Sequence, residues 1–358
     1  MTKYRVGIVG LRRGETFADV FSAHPRVEVT ALCDIDEGTL TETAQAFCLS
    51  DEQLFTQFED FVNAPMDIVM IGTPIGFHAQ QTIAALESGK HVLCEQTAAY
   101  TLEDCERVVN TVKRTGKTYM MAENYCYFHY LRQWQKLIQA GKIGDIFYAE
   151  AEYIHEIVDL IIDKKTGTYF WRHERPPIWY CAHSLGPLLM LMGDRILRAT
   201  GVHSGFRQFP EQTAHPAFLD MEVGLFQTKK GAVIKILRSQ TPVRPHLIFY
   251  ELYGTKGCLE SPRNGDTSLL YLEKDSGKGE FDTGTASWSD PDAPQDAQEG
   301  GHGTSEYFLI REFLDSLEEE RRPEIDVIRS MDFTVPGLIA HESALRGGEW
   351  MDVPLFDW

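Results

Sequence analysis

What this chain lacks narrows its reading first. It has no excess of positive charge: 34 Lys and Arg stand against 53 Asp and Glu, a formal net charge of −19. Binding duplex nucleic acid or an anionic membrane needs clustered basic side chains, so neither partner is expected. It has no C-x-x-C pair. The cysteines, Cys33, Cys48, Cys94, Cys105, Cys126, Cys181 and Cys258, are odd in number and scattered. That fits neither a disulfide framework nor a zinc ribbon and suggests a reducing cytoplasm. No apolar run approaches the ~18 residues of a membrane span; the longest lies around Pro187 to Met192. The amino end runs straight into a strand-like segment at residues 5–9 without the apolar centre of a signal peptide.

What is present suits two globular domains. The 358 residues, 43% hydrophobic and 24% charged, suffice for two cores at ~100–200 residues per domain. In the first third, strand-like runs at residues 5–9, 27–33, 67–71, 91–94 and 118–121 alternate with helical patterns at 14–21, 40–47, 51–62 and 79–86. A further helix follows Thr101, with Leu102, Cys105, Val108, Val109 and Val112 on one face. Such alternation predicts an α/β fold with a doubly wound parallel sheet, whose ligands sit at the carboxyl ends of the strands. Beyond a helix at 130–139, long strand-like segments dominate at 145–154, 219–228, 232–240, 247–254 and 268–273. Their short turns favour a large, open, mostly antiparallel sheet. Residues 274–303 read as a long loop, and 307–319 as a closing helix. The expected domains are residues 1–124 and 125–358, with a helix over 331–348 packing back on the first. A second sheet covered on one face only would expose apolar surface, hence an expected homo-oligomer, dimer or tetramer.

Three constellations carry chemistry. The run Gly7-Ile8-Val9-Gly10-Leu11-Arg12-Arg13-Gly14 follows the first strand. Glycines there let backbone approach a pyrophosphate at a helix amino terminus, where amides and dipole favour anions. The strict G-x-G-x-x-G is absent: Gly10 and Gly14 form a looser version with Arg12 and Arg13 between them. Asp34 ends the second strand 24 residues after Gly10, where a carboxylate accepts hydrogen bonds from an adenosine ribose. With Asp36 it would repel a 2′-phosphate, so NAD is expected rather than NADP.

The second constellation joins Gly72-Thr73-Pro74 and His78 to Gly89-Lys90-His91-Val92-Leu93-Cys94-Glu95-Gln96. Both put polar groups at strand ends, where a nicotinamide ribose would lie. Here the chain resembles the Gfo/Idh/MocA family of oxidoreductases, in which T-P-x-x-x-H and G-K-H-V-x-x-E-K-P segments recur at this spacing. The resemblance covers nearly the whole chain. It implies a Rossmann domain, an NAD cofactor touching Thr73, Pro74, His78, Glu95, Gln96 and Asn124, and a second, open-faced α/β domain. Gln96 stands where the family has lysine, and Thr97 where it has proline. Glutamine donates a hydrogen bond but cannot carry a proton through a catalytic cycle. Either another group is the acid/base, or the chain binds cofactor without turnover.

The third constellation, Tyr180-Cys181-Ala182-His183-Ser184-Leu185-Gly186-Pro187, supplies a candidate. Many family members carry D-x-x-x-H here, whereas Trp179 replaces the aspartate. An imidazole with a pKa near ~6.5 suits proton removal from a hydroxyl at neutral pH. His183 is therefore the expected acid/base, with Tyr180 as a proton relay or a structural neighbour. Together with Glu123-Asn124-Tyr125-Cys126-Tyr127 and Gly300-Gly301-His302-Gly303, this segment is similar to the branch containing NAD-dependent N-acetylgalactosaminidases and glycoside-acting oxidoreductases. That likeness implies transient oxidation of a sugar at C3, with Tyr125, His183 and His302 lining the sugar site and Glu123 and Asn124 near the nicotinamide. Residues 153–155 and 169–175 add expected contacts: His155, Trp171 stacking on a sugar face, and Arg172 holding an acidic substituent. A metal site from Glu152, His155, His183 and His302 has no local ligand spacing behind it, so none is expected. The expected function is NAD-dependent oxidation of a sugar or glycoside hydroxyl. The alternatives are a redox-neutral glycosidase and a non-catalytic NAD or sugar sensor. The acidic balance favours neutral sugars.

Overall fold

The computed structural model describes residues 3–273, 282–294, 297 and 300–358. Two compact units emerge: Met1–Phe128 with Trp288–Met331 and Phe356–Trp358, and His129–Ser287 with Asp332–Leu355.

In the first unit, β1 (Tyr4–Val9), β2 (Val27–Cys33), β3 (Leu54–Phe55), β4 (Ile68–Ile71), β5 (His91–Glu95) and β6 (Tyr119–Ala122) form a parallel sheet in the order β3-β2-β1-β4-β5-β6. The doubly wound expectation holds. β4 and β6 are buried at every residue, as strands covered on both faces must be. The connecting helices are α1 (Leu11–Ala23), α2 (Glu37–Ala46), α3 (Phe58–Phe61), α4 (His78–Glu87) and α5 (Leu102–Thr115). α5 starts where the Thr101 side chain accepts the Asp104 N–H and stops at Gly116 with φ 65°. α1 starts at Leu11, three residues before the sequence placed it, because Gly10 adopts φ 83° and turns the chain directly into the helix. The helix expected over 51–62 is instead a turn at Asp51–Gln53, then β3 and α3. Phe55 and Phe58 imitate a helical stripe, but both rings pack 6.0 Å from Phe61 while Leu54 and Phe55 pair with β2 at the sheet edge.

The second unit contains α6 (His129–Gln139), β7 (Ile146–Ile154), α7 (Ala182–Met192), β8 (Ile196–His203), β9 (Glu222–Thr228), β10 (Val233–Ser239), β11 (Leu247–Gly254), β12 (Gly257–Glu260), β13 (Thr267–Leu272) and β14 (Asp282–Thr285). β15 (Gly301–Thr304) and α8 (Ser305–Glu318) return to the first unit, followed by α9 (Val327–Leu345) and β16 (Met351–Asp352). The second sheet has nine strands in the order β14-β13-β12-β11-β7-β10-β9-β8-β16. Among the described residues only β7 and β10 run parallel, so it is mixed and mostly antiparallel. On its buried face Ala149, Ala151 and Tyr153 pair with Ile234, Ile236 and Arg238. The opposite face is not the bare apolar surface expected. Lys235 binds Glu150 at 2.6 Å and Arg263 binds Glu152 at 2.9 Å, beside exposed Leu225 and Tyr253.

The division between units is not a single cut near residue 124. It falls inside α9, whose residues from Asp332 onward group with the second unit rather than the first. Two glycines allow this packing. A Cβ on Gly201 of β8 would lie 2.1 Å from the Ala340 carbonyl oxygen, and one on Gly337 would lie 2.5 Å from Cys181 Sγ. Within the expected loop at 274–303, β14 and β15 are strands, whereas residues 274–281, 295–296 and 298–299 lie outside the described residues. Among the described residues, no helix is long and apolar enough to cross a membrane.

Candidate functional site

In the first unit the strand order reverses between β1 and β4, the place where doubly wound sheets open a crevice. The chemistry of Gly10 and Gly14 is visible there. A Cβ on Gly10 would meet the Thr73 nitrogen at 2.5 Å, and one on Gly14 would meet the Ile8 side chain at 2.7 Å. The looser glycine spacing thus fills two roles of the stricter motif, a tight turn and close helix-to-strand packing. Beside it lies a cleft of about 290 Å³, lined among others by Gly10, Asp34, Ile35, Thr73, Pro74 and Phe77. Asp34 Oδ2 accepts the Leu11 N–H at 2.7 Å and Oδ1 the Asp36 N–H at 2.9 Å. A carboxylate has about four acceptor positions, which leaves two for vicinal hydroxyls. Ile35 is 90% and Phe77 53% exposed, apolar rims suited to the faces of an adenine. These groups fit the adenosine half of NAD, and Asp34, Asp36 and Glu59 disfavour a 2′-phosphate.

Other expected cofactor residues are placed differently. Arg12 is exposed, but Arg13 is drawn away: its Nε lies 2.5 Å from Glu95 Oε1 and its Nη2 3.5 Å from Glu306 Oε1. His78 does not line the cleft. It is buried, with Nδ1 2.8 Å from the Thr97 carbonyl oxygen and Nε2 2.8 Å from that of Thr73, so it ties two loops together. Burial lowers its pKa, and the two carbonyls pull in the opposite direction. Gln96 is buried, and its N–H donates to Glu95 Oε2 at 3.0 Å. Asn124 Nδ2 donates to Glu306 Oε1 at 3.0 Å, and His302 Nδ1 lies 2.9 Å from the same oxygen. Burial opposes ionisation of Glu306, yet His302 and Arg13 hold its pKa down to about 2. Glu123 behaves oppositely: burial, reinforced by the Glu95 charge, raises its pKa well above the ordinary range. Tyr125 packs 4.5 Å from Phe128 and 5.4 Å from His302. The sequence missed Glu306, although its i+4 spacing from His302 was a readable signal.

In the second unit His183 sits in the first turn of α7, 6% exposed. Its ring meets Tyr180 edge-on at 5.1 Å and Tyr153 edge-on at 5.4 Å, and its carbonyl accepts the Tyr250 hydroxyl. Tyr153 Oη lies 3.0 Å from His155 Nδ1, and the His155 ring stacks on His246 at 4.2 Å. Burial first, then the neighbouring His246, Arg238, His183 and Arg175, lower the His155 pKa to about 4. Guanidinium groups lie on both tyrosines: Arg238 over Tyr153 at 4.4 Å and Arg175 over Tyr180 at 4.0 Å. Trp171 and Arg172 come together too, but Arg172 covers the indole at 4.3 Å, on a face expected to be available to a sugar. Trp179, standing where an aspartate was expected, meets His341 edge-on. Tyr153 and Arg175 fall within the stretches expected to touch substrate; the sequence missed Arg238 and His246. A lone histidine after Pro245 carries no spacing signal. Among the described residues no group of three or more His, Cys, Asp or Glu could hold a metal ion.

An NAD-binding first unit and an aromatic, basic second unit define a two-part NAD-dependent oxidoreductase architecture. Residues 4–123 match the oxidoreductase family with an NAD-binding Rossmann fold, Gfo/Idh/MocA, and residues 129–357 match the glycosyl hydrolase 109 C-terminal domain. The chain therefore belongs to the glycosyl hydrolase 109 group within the Gfo/Idh/MocA oxidoreductases. It is 28% identical to a glycosyl hydrolase family 109 protein of Shewanella pealeana, over 99% of this chain and 86% of the other. It is 26% identical to the alpha-N-acetylgalactosaminidase of Shewanella oneidensis, over 99% and 85%. Levoglucosan dehydrogenase in complex with NADH and L-sorbose shares the fold at a TM-score of 0.83 and 20% identity, covering 99% of this chain and 100% of that one.

Proposed function

We propose that the protein oxidises a secondary hydroxyl of a sugar or glycoside, C3 by family likeness, with NAD as the hydride acceptor. The observation that carries this reading is His183, buried and set edge-on to two tyrosines, Tyr153 of the second sheet and Tyr180 of the turn before α7. Bound NAD would supply the redox chemistry. Gly10, Asp34, Thr73 and Pro74 would hold its adenosine half in the cleft they line. His183 takes the hydroxyl proton as the carbonyl forms, and the Tyr250 bond to its carbonyl fixes the first turn of α7. Tyr180 orients the imidazole. Gln96 does not exchange protons and is left to position by hydrogen bonding.

A redox-neutral glycosidase is the second reading, favoured by the glycosyl hydrolase 109 C-terminal domain and by the Shewanella oneidensis relative's name. It uses the same first step, followed by elimination of the aglycone, addition of water at the anomeric carbon and return of the hydride. A screen of sugars and glycosides with NAD, read for NADH, released aglycone and keto-sugar, separates the two. His183→Ala is expected to slow turnover by about 10²–10⁴-fold, the usual range for a general acid/base. Full activity in that variant, or a sharp gain on Gln96→Lys, would show that the proton acceptor is elsewhere.

A further inference from the structure

The second unit buries a positive charge that no carboxylate among the described residues neutralises. Arg175 is 2% exposed. Its Nη2 donates to Gln240 Oε1 at 2.8 Å, and Gln240 Nε2 donates in turn to the carbonyl oxygens of Arg175 at 2.9 Å and Ala217 at 3.0 Å. The amide is thus fixed with its oxygen toward the guanidinium. Arg175 Nε makes no hydrogen bond, and no carboxylate lies within ion-pair distance of Arg175 among the described residues. Amide and ring contacts, at 4.0 Å from the Tyr180 centroid and 5.9 Å from Trp171, do not cancel a formal charge. A buried guanidinium without a counter-ion is unfavourable, and folded proteins rarely keep one.

The surroundings add positive rather than negative charge. Arg238, 1% exposed, lies over the neighbouring Tyr153 and donates to the carbonyl oxygens of Tyr153 and Ser239. His155, His183 and His246 surround the same tyrosine. The carboxylate opposite Arg238 on β9, Glu222, is engaged by His341 Nδ1 at 2.6 Å and the Ile178 N–H at 2.8 Å. The low pKa of His155 reflects burial and this same cationic company. Basic groups on tyrosine faces are a composite surface. Aromatic faces suit the C–H face of a sugar ring, while a guanidinium edge suits a planar carboxylate in two parallel bonds.

We infer that the substrate is an acidic sugar, a uronic acid or a glycoside bearing a carboxylate, with Arg175 as its counter-charge. This rests on the sugar-oxidising reading above and replaces the expectation of a neutral sugar drawn from net charge. A carboxylate is favoured over a phosphate because one guanidinium, already partly engaged by Gln240, matches two oxygens rather than three.

The test is calorimetric binding to the NAD-loaded protein. The probes are D-glucuronate and D-galacturonate beside D-glucose, D-galactose and glucose 6-phosphate. The uronates are expected to bind about tenfold or more tightly than their neutral partners, as for a buried charge-assisted pair. Glucose 6-phosphate should bind no better than glucose. Added salt should weaken uronate binding selectively, a wild-type readout independent of any variant's folding. Arg175→Gln should abolish the preference, so that in that variant the uronates bind no more tightly than their neutral partners. Equal binding of neutral and acidic sugars, no binding of either uronate, a preference for the phosphate, or a preference that survives Arg175→Gln overturns the inference. The underlying reading fails separately: uronate preference without NADH formation leaves the acidic site standing and removes the oxidoreductase. NADH from neutral sugars alone does the reverse.

Discussion

The two units gather charge of opposite sign around their polar centres. In the first, Glu95, Glu123 and Glu306 converge on one arginine, Arg13, and one histidine, His302. In the second, Arg175 and Arg238 accompany His155, His183 and His246 on a pair of tyrosines. A chain of net charge −19 therefore carries a local field that its composition hides. The difference teaches that net charge governs solubility and long-range steering, whereas recognition follows the few charges that are buried. It also separates roles. The acid-rich centre positions loops at the ends of β5 and β6 through internal pairs, and the base-rich centre leaves Arg175 without a carboxylate among the described residues.

The comparison breaks most visibly at Asp34, a carboxylate of the first unit that lines a cleft. Asp34→Ala removes the acceptor of the Leu11 N–H and, on the proposed reading, of two ribose hydroxyls. NAD affinity, measured by fluorescence titration, is expected to fall by about 10–100-fold, the loss of charge-assisted hydrogen bonds. An unchanged affinity would mean that the cleft is not the adenosine site. Glu306 gives the smaller, pH-dependent effect. Its carboxyl titrates at about 2 in the fold against an ordinary 4.5. The stabilisation is therefore complete above pH 4.5 and is lost as pH falls toward 2, a difference of about 3 kcal/mol. Denaturant unfolding at stepped pH should show a shallower acid slope for Glu306→Gln than for wild type, with the curves converging at the acid end. Parallel slopes would remove the ionised Glu306 from the centre of that network.

Much of this was readable in the sequence, for physical reasons that also mark where reading stopped. β4 and β6 are continuous apolar runs, so burial on both faces declared them, whereas the short edge strand β3 was read as helix. Gly10, Asp34 and His183 belong to segments whose spacing is set by local geometry or by family pattern. Phe55, Phe58 and Phe61 misled because packing at a sheet edge and packing along a helix both space aromatics three apart. Arg13 and His78 were assigned to the cofactor from their position in the chain. Their partners, Glu306 far along the chain and two backbone carbonyls, could not be seen without the fold. Arg175 lay within an expected contact stretch, but its burial was invisible for a related reason. Nothing in Glu174-Arg175-Pro176 shows that the guanidinium will be buried on Tyr180 with an amide for company.

The account's central claim is that this chain moves a hydride from a sugar carbon to NAD. A rapid-quench single turnover with a substrate from the binding panel, deuterated at C3, tests it directly by mass spectrometry of the protein-bound nucleotide. The account predicts deuterium on the nicotinamide ring, and its loss in His183→Ala. Chemical conversion of the sugar with no deuterium reaching the nucleotide would contradict it.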